Sequence, residues 1–123
     1  MNIVDSSGWL EYFAEGKNAS FFAPAVTRNA ELIVPTVSLY EVFKRVHQQR
    51  GESQALVAVA LMQQGAMVDL DATIALSAAK ISVEMKLPMA DSILLATARH
   101  NEAVLWTQDA DFEGIEGVRY VSA

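Results

Sequence analysis

Four carboxylates, Asp5, Glu41, Asp91 and Asp109, are spread over nearly the whole chain, yet all stand at one kind of junction. Asp5 follows the apolar run Asn2-Ile3-Val4, and Asp109 lies just beyond Val104-Leu105-Trp106-Thr107. Glu41 and Asp91 fall in the first turns of two helical stretches, one after Pro35-Thr36 and one after Leu87-Pro88. In an open α/β sheet, sites form beyond the carboxyl ends of the strands, and helices that follow strands begin at that same edge. Taken singly, each acid is also an ordinary strand end or helix start; taken together, they are expected on one face. Converging carboxylates raise one another's pKa unless a cation joins them. The chain has no cysteine, and His47 and His100 have no partners at metal-ligand spacing. A hard-oxygen set of this kind favours Mg²⁺ or Mn²⁺ over zinc. A cation held by such a set lowers the pKa of a bound water and so suits metal-assisted hydrolysis.

The elements that must position these acids follow from local signals. Asn2-Ile3-Val4 predicts a buried strand, and Ser6 or Ser7 an N-cap for a helix carrying Trp9, Leu10, Tyr12 and Phe13 that Gly16 closes. Asn18 or Ser20 opens a second helix through Phe22 and Val26. Leu32-Ile33-Val34 predicts a second strand, stopped by Pro35. Thr36 caps a third helix to Arg50, with Tyr40, Phe43 and Val46 on one stripe and Glu41 off it. Gly51 ends that helix, and Ser53 starts a fourth to Gln64-Gly65. Ala66-Met67-Val68 predicts a strand, and Asp71 the start of a fifth helix through Ile74, Ala78 and Ile81 to Lys86. Pro88 then begins the Asp91 helix, whose Ile93, Leu94, Leu95, Ala96 and Ala98 leave almost no polar side, so it belongs inside. Val104 to Thr107 and Val118 to Val121 complete the strands. Short apolar strands alternating with helices predict a single α/β domain over residues 1–123, with a central parallel β-sheet flanked by helices.

Composition narrows the function. With 123 residues and 52% hydrophobic residues, the chain builds one core, and no apolar run reaches membrane-span length. Met1 leads directly into the first strand without a signal peptide, so a cytoplasmic protein is expected. The net charge of −6 argues against a general nucleic-acid coat protein, but not against an enzyme whose acids bind metal.

Four segments carry a family resemblance: Val4-Asp5-Ser6-Ser7; Val34-Pro35-Thr36-Val37-Ser38-Leu39-Tyr40-Glu41; Leu87-Pro88-Met89-Ala90-Asp91 with Leu94 to Ala98; and Trp106-Thr107-Gln108-Asp109-Ala110-Asp111-Phe112. In order and in content they resemble the motifs of PIN-domain nucleases, and in size and layout the VapC toxins of toxin–antitoxin pairs. The resemblance implies metal carboxylates at Asp5, Glu41, Asp91 and Asp109, with hydroxyl support from Ser6 or Ser7 and from Thr107. It further implies Mg²⁺- or Mn²⁺-dependent RNA cleavage by phosphodiester hydrolysis, with Asp5, Asp91 and Asp109 as the main ligands and Glu41 holding a second ion or orienting water. A homodimer and neutralisation by a small VapB-type antitoxin are implied as well. Asp111 is either a fifth acid of the site or, the preferred expectation, a turn residue before Phe112.

Other classes fit less well. A PIN-like nuclease of RNA maturation or DNA repair would work without an antitoxin. A phosphoacceptor signalling domain wants a lysine at a late strand end, where Trp106-Thr107 stands. A catalytically silent interaction module has no need of four intact acids. Lys44, Arg45 and Arg50 are read either as phosphate contacts or as a solvated face. The methionines are expected to fill the core, as are Trp9, Tyr12 and Phe13 unless they serve a dimer contact.

Overall fold

The computed structural model describes residues 1–123. Five short strands, β1 (Asn2–Val4), β2 (Ile33–Pro35), β3 (Ala66–Val68), β4 (Val104–Thr107) and β5 (Val118–Tyr120), alternate with six helices. The helices are α1 (Ser6–Phe13), α2 (Ala19–Thr27), α3 (Thr36–Arg50), α4 (Glu52–Met62), α5 (Ala72–Met85) and α6 (Met89–His100). Every pairing is parallel. β1, β4 and β5 form one ladder, β2 and β3 another, and a bridge between Asn2 and Leu32 joins them into the lateral order β3-β2-β1-β4-β5. The chain therefore builds outward from β1 on one side, then returns to build on the other. That reversal leaves a crevice beyond the carboxyl ends of β1 and β4, where α/β sheets place their ligands.

Alternation along the strands divides the core into two layers. Ile3, Ile33 and Leu105 face α5 and α6, packing on Ile74, Ala78, Ile81, Leu94 and Leu95. Val4, Val34 and Trp106 face the other way, onto Trp9, Phe22, Val42, Ala58 and Met62 from α1 to α4. Adjacent strand residues point to opposite faces, so a buried parallel sheet must be apolar at both. α6 matches its sequence: Ser92 through Ala98 are all buried.

Several boundaries differ from the sequence-based expectation, for local reasons. Asp5, not Ser6 or Ser7, is the N-cap of α1, since its carboxylate accepts the Gly8 N–H and so outcompetes the hydroxyls. Pro35 lies inside β2 opposite Val68 and caps α3 in place of Thr36, which is possible because its missing N–H is an orphan at that position anyway. Likewise Pro88 is the N-cap of α6. α1 ends at Phe13, before Gly16, and Glu15 takes the left-handed backbone. Gly51, at φ 87°, lets α3 turn directly into α4, which starts at Glu52 before Ser53. On α3 the core side is Ser38 and Val42, while Tyr40 is 65% exposed, so the Tyr40 stripe is not the buried one. Met62 is buried as expected, but Met89 is 76% exposed. No helix is long and apolar enough to cross a membrane.

Gly8 explains how closely α1 sits on the sheet. A β-carbon there would lie 2.6 Å from Phe22 Cε1 and 2.7 Å from Val4 Cγ1. Any side chain would push α1 away from β1 and α2, and would carry off the N–H that Asp5 caps.

Candidate active site

β1 ends at Val4, and one further ladder bond, from the Asp5 N–H to the Trp106 carbonyl at 3.1 Å, carries the pairing past the strand end. This places Asp5 beside the last residue of β4, Thr107, whose hydroxyl donates to Asp5 Oδ2 at 2.7 Å. Ser7 Oγ donates to both carboxylate oxygens, at 2.9 and 3.0 Å, and the Gly8 N–H to Oδ1 at 2.8 Å. Asp5 is thus a carboxylate with three donors, 3% exposed, fixed between two adjacent strand ends. Burial pushes its pKa up to about 6, against the pull of Thr107, Gly8 and Ser7, and Asp109 adds a smaller upward push.

Thr107 also ties in the next segment: its Oγ1 accepts the Asp109 N–H at 2.9 Å. Asp109 Oδ1 in turn accepts the Asp111 N–H at 2.9 Å, closing the 3₁₀ turn Ala110–Phe112. That turn folds Asp111 back toward Asp109, and Phe112, fully buried, pins its far end. From the opposite side comes Asp91, in the first turn of α6. One oxygen each from Asp91, Asp109 and Asp111 lies within 4.8 Å of the others. Asp91 is pushed up to about 7, first by burial and then by the charges of Asp109, Asp111, Asp5 and Glu41. Glu41 is held at the rim by Ser6, whose hydroxyl donates to Oε1 at 2.6 Å.

The fold therefore gathers all four sequence-predicted acids, and Ser6, Ser7 and Thr107 hold two of them. The close trio differs from the expected one. Asp111 joins Asp91 and Asp109, whereas Asp5 sits behind with its lone pairs largely taken by its three donors. Of the two readings of Asp111, the fifth-acid one fits this geometry. The signal that favours it is the Asp-x-Asp pattern, since an aspartate that accepts the N–H two residues on makes a turn that brings both carboxylates to one side. His47 packs edge-on to Phe43, and the His100 ring pairs with Ser77, so neither joins the site.

The trio fits a hard divalent cation. It offers oxygen ligands only, with no sulfur or imidazole beside them, and burial together with the surrounding like charges pushes Asp91 far above the usual carboxylate range.

Comparisons with known proteins agree with this fold. No curated protein matches the chain in sequence. Among solved structures, a toxin–antitoxin complex from Klebsiella pneumoniae superposes with a TM-score of 0.81 at 22% identity, covering 97% of this chain and 96% of that one. VapC20 of Mycobacterium tuberculosis, a toxin that cleaves the sarcin–ricin loop, gives 0.77 at 17% identity over 94% and 95%. VapBC-1 of nontypeable Haemophilus influenzae gives 0.73 at 17% identity over 98% and 96%. At these identities the likeness is one of fold. The PIN domain model itself matches residues 3–118, almost the entire chain and all five acids, and the chain belongs to the PIN domain family.

Proposed function

We propose that this PIN domain is the toxin of a type II toxin–antitoxin pair, a Mg²⁺- or Mn²⁺-dependent endoribonuclease. The observation that carries the reading is the Asp91, Asp109 and Asp111 trio, three carboxylates within 4.8 Å at the crevice between β1 and β4. Asp91, Asp109 and Asp111 would hold the ion, and Asp5 and Glu41 would add charge around it. When bound, the cation supplies Lewis-acid activation of water and neutralises charge on the phosphoryl oxygens.

The chain's own residues do the rest. Ser7, Thr107 and the Gly8 N–H fix Asp5, and through Thr107 they also fix the Asp109 backbone. Ser6 aims Glu41 at the site rim, where its free oxygen can orient water. With a pKa of about 7, Asp91 holds a proton through much of the neutral range when no cation is present and must release it to bind one.

The solved structures with this fold include VapBC complexes, which supports an antitoxin partner; a toxin homodimer and a cytoplasmic setting belong to the same reading. An acidic mouth of this kind suits a partner's arginine, which would pair bidentately with the carboxylates and displace the metal. The test of function is cleavage of structured RNA with single-stranded loops, whose bases are accessible, in Mg²⁺, Mn²⁺ or EDTA. Cleavage is expected only with the divalent ions and only with Asp91 intact; activity that survives EDTA or Asp91→Asn overturns the mechanism. Co-expression with the product of an adjoining short gene should yield a copurifying, silenced complex, and separate elution with activity unchanged overturns the antitoxin.

A further inference from the structure

Beside the acids, a groove of about 450 Å³ runs between α1, α3 and α4. Ser7 and Gln108 form its end at the active site: Ser7 donates to Asp5, and Gln108 is the residue between Thr107 and Asp109. Arg45 and Arg50 line it further along, so two of only nine cations in an acidic chain lie on this one path.

The Gln108 side chain is not free to turn. Asn18, buried in the turn between α1 and α2, donates from Nδ2 to the Ser122 carbonyl at 3.0 Å and to Gln108 Oε1 at 2.9 Å. Those contacts settle both amides. A backbone carbonyl only accepts, so the Asn18 atom facing Ser122 is nitrogen, and the Gln108 atom facing that nitrogen is oxygen. Asn18 itself is anchored by its own N–H, which the Glu11 carboxylate accepts at 3.0 Å. With its oxygen held toward Asn18, Gln108 has its NH₂ group free to offer.

We propose that Asn18 is a positioning residue that turns the Gln108 NH₂ into the groove, where it donates to a backbone phosphate flanking the cut bond of bound RNA. The inference rests on the nuclease reading and names the surface that carries the substrate. Ionised, the acids offer acceptors only, whereas Arg45 and Arg50 offer donors only and Gln108 offers its NH₂, so a polyanion finds favourable contacts along the groove and not over the carboxylates. Glu11, the one carboxylate of the groove, has an oxygen committed to the Asn18 N–H.

The test is binding of a fluorescent single-stranded RNA dodecamer in EDTA at low salt, with Mn²⁺ affinity measured separately by calorimetry. Gln108→Met, nearly isosteric, should raise the RNA Kd roughly tenfold, as befits one lost hydrogen bond to a charged group, and leave Mn²⁺ affinity unchanged. Asn18→Ala should raise Kd less, and should convert the Gln108 side-chain NH₂ signals in ¹⁵N NMR from rigid to averaged. Gln108→Met binding RNA as tightly as the wild type overturns the proposal, as does a parallel loss of Mn²⁺ affinity, which would make Gln108 part of the metal loop. Loss of binding to a copurifying protein partner, with RNA binding intact, assigns the groove to that partner and equally overturns it. A wild-type chain that binds RNA but never cuts it overturns the nuclease reading alone.

Discussion

Asp5 and Asp71 are the same local device. Each is the N-cap of a helix, and each accepts the N–H three residues on at 2.8 Å. Asp71 stands exposed ahead of α5, with no other recorded side-chain partner. Asp5 is 3% exposed, takes two further hydroxyl donors, and shares its crevice with Asp91, Asp109, Asp111 and Glu41. The chemistry of capping is identical, so capping does not make a site. The strand order does, by ending β1 next to β4 and placing α6 across from them.

The sharpest way to break this comparison is to remove both caps. Asp5→Ala should cost roughly tenfold to a hundredfold in divalent-dependent RNA cleavage, the usual loss when a group that orients a metal's ligands is deleted. Asp71→Ala should cut RNA at the wild-type rate. Equal rates for the two variants would mean that Asp5 is only a helix start.

Stability gives the second contrast, read by denaturant unfolding. Asp71→Ala loses one exposed cap, about 1 kcal/mol. Asp5→Ala loses its cap and also strands the Ser7 and Thr107 hydroxyls and the Gly8 N–H in a buried place, for about 2–4 kcal/mol. The relief of one buried charge offsets part of that, so a smaller gap between the two would point to a looser crevice.

How much of this was legible depends on the range of each interaction. Asp5, Glu41, Asp91 and Asp109 could be picked out because strand ends and helix starts are local patterns, and the α/β order places those ends together. The helix identities were legible for the same reason, as with the all-apolar run in α6. What failed was competition within a turn: a carboxylate at residue 5 beats the hydroxyls at residues 6 and 7 for the cap. The exposure of Tyr40 depends on how α3 rolls against the sheet, which an apolar stripe alone does not fix, and the role of Asp111 depends on a 3₁₀ turn, which has no helical period to read. The Asn18–Gln108 contact spans ninety residues and leaves no trace in either local sequence.

pH offers a third contrast, with a definite sign. Folding raises Asp5 to about 6 and Asp91 to about 7 from 3.8, so between those values the folded chain binds more protons than the unfolded one. In the metal-free protein these two groups therefore contribute stability that is fully present below about pH 3.8 and is lost as pH climbs through 6 and 7. Saturating Mg²⁺ or Mn²⁺ should oppose that loss increasingly as pH rises, because binding needs the carboxylates ionised. Melting temperatures in EDTA at pH 5 and pH 7.5 measure the slope. Asp71→Asn should retain it and Asp91→Asn should flatten it. A slope unaltered in Asp91→Asn would place the responsible protons elsewhere.

The smallest expected effect is also the most discriminating for Asp91, because two forces oppose each other there. Without metal, its charge faces those of Asp109, Asp111, Asp5 and Glu41, and replacing it by asparagine removes that repulsion while keeping a polar side chain of the same shape. Against this, a charged Asp in the first turn of α6 is favoured by the exposed N–H groups by about 0.3–1 kcal/mol. Burial favours the neutral side chain further, so the sum should be a gain: at pH 7.5 in EDTA, Asp91→Asn should melt a few degrees higher, as suits about 1 kcal/mol in a chain of this length. The same variant should lose most of the stabilisation that millimolar Mn²⁺ gives the wild type. If Asp91→Asn instead melts lower in EDTA, and Mn²⁺ shifts neither protein, then Asp91 behaves as Asp71 does, a carboxylate at a helix start with nothing to bind.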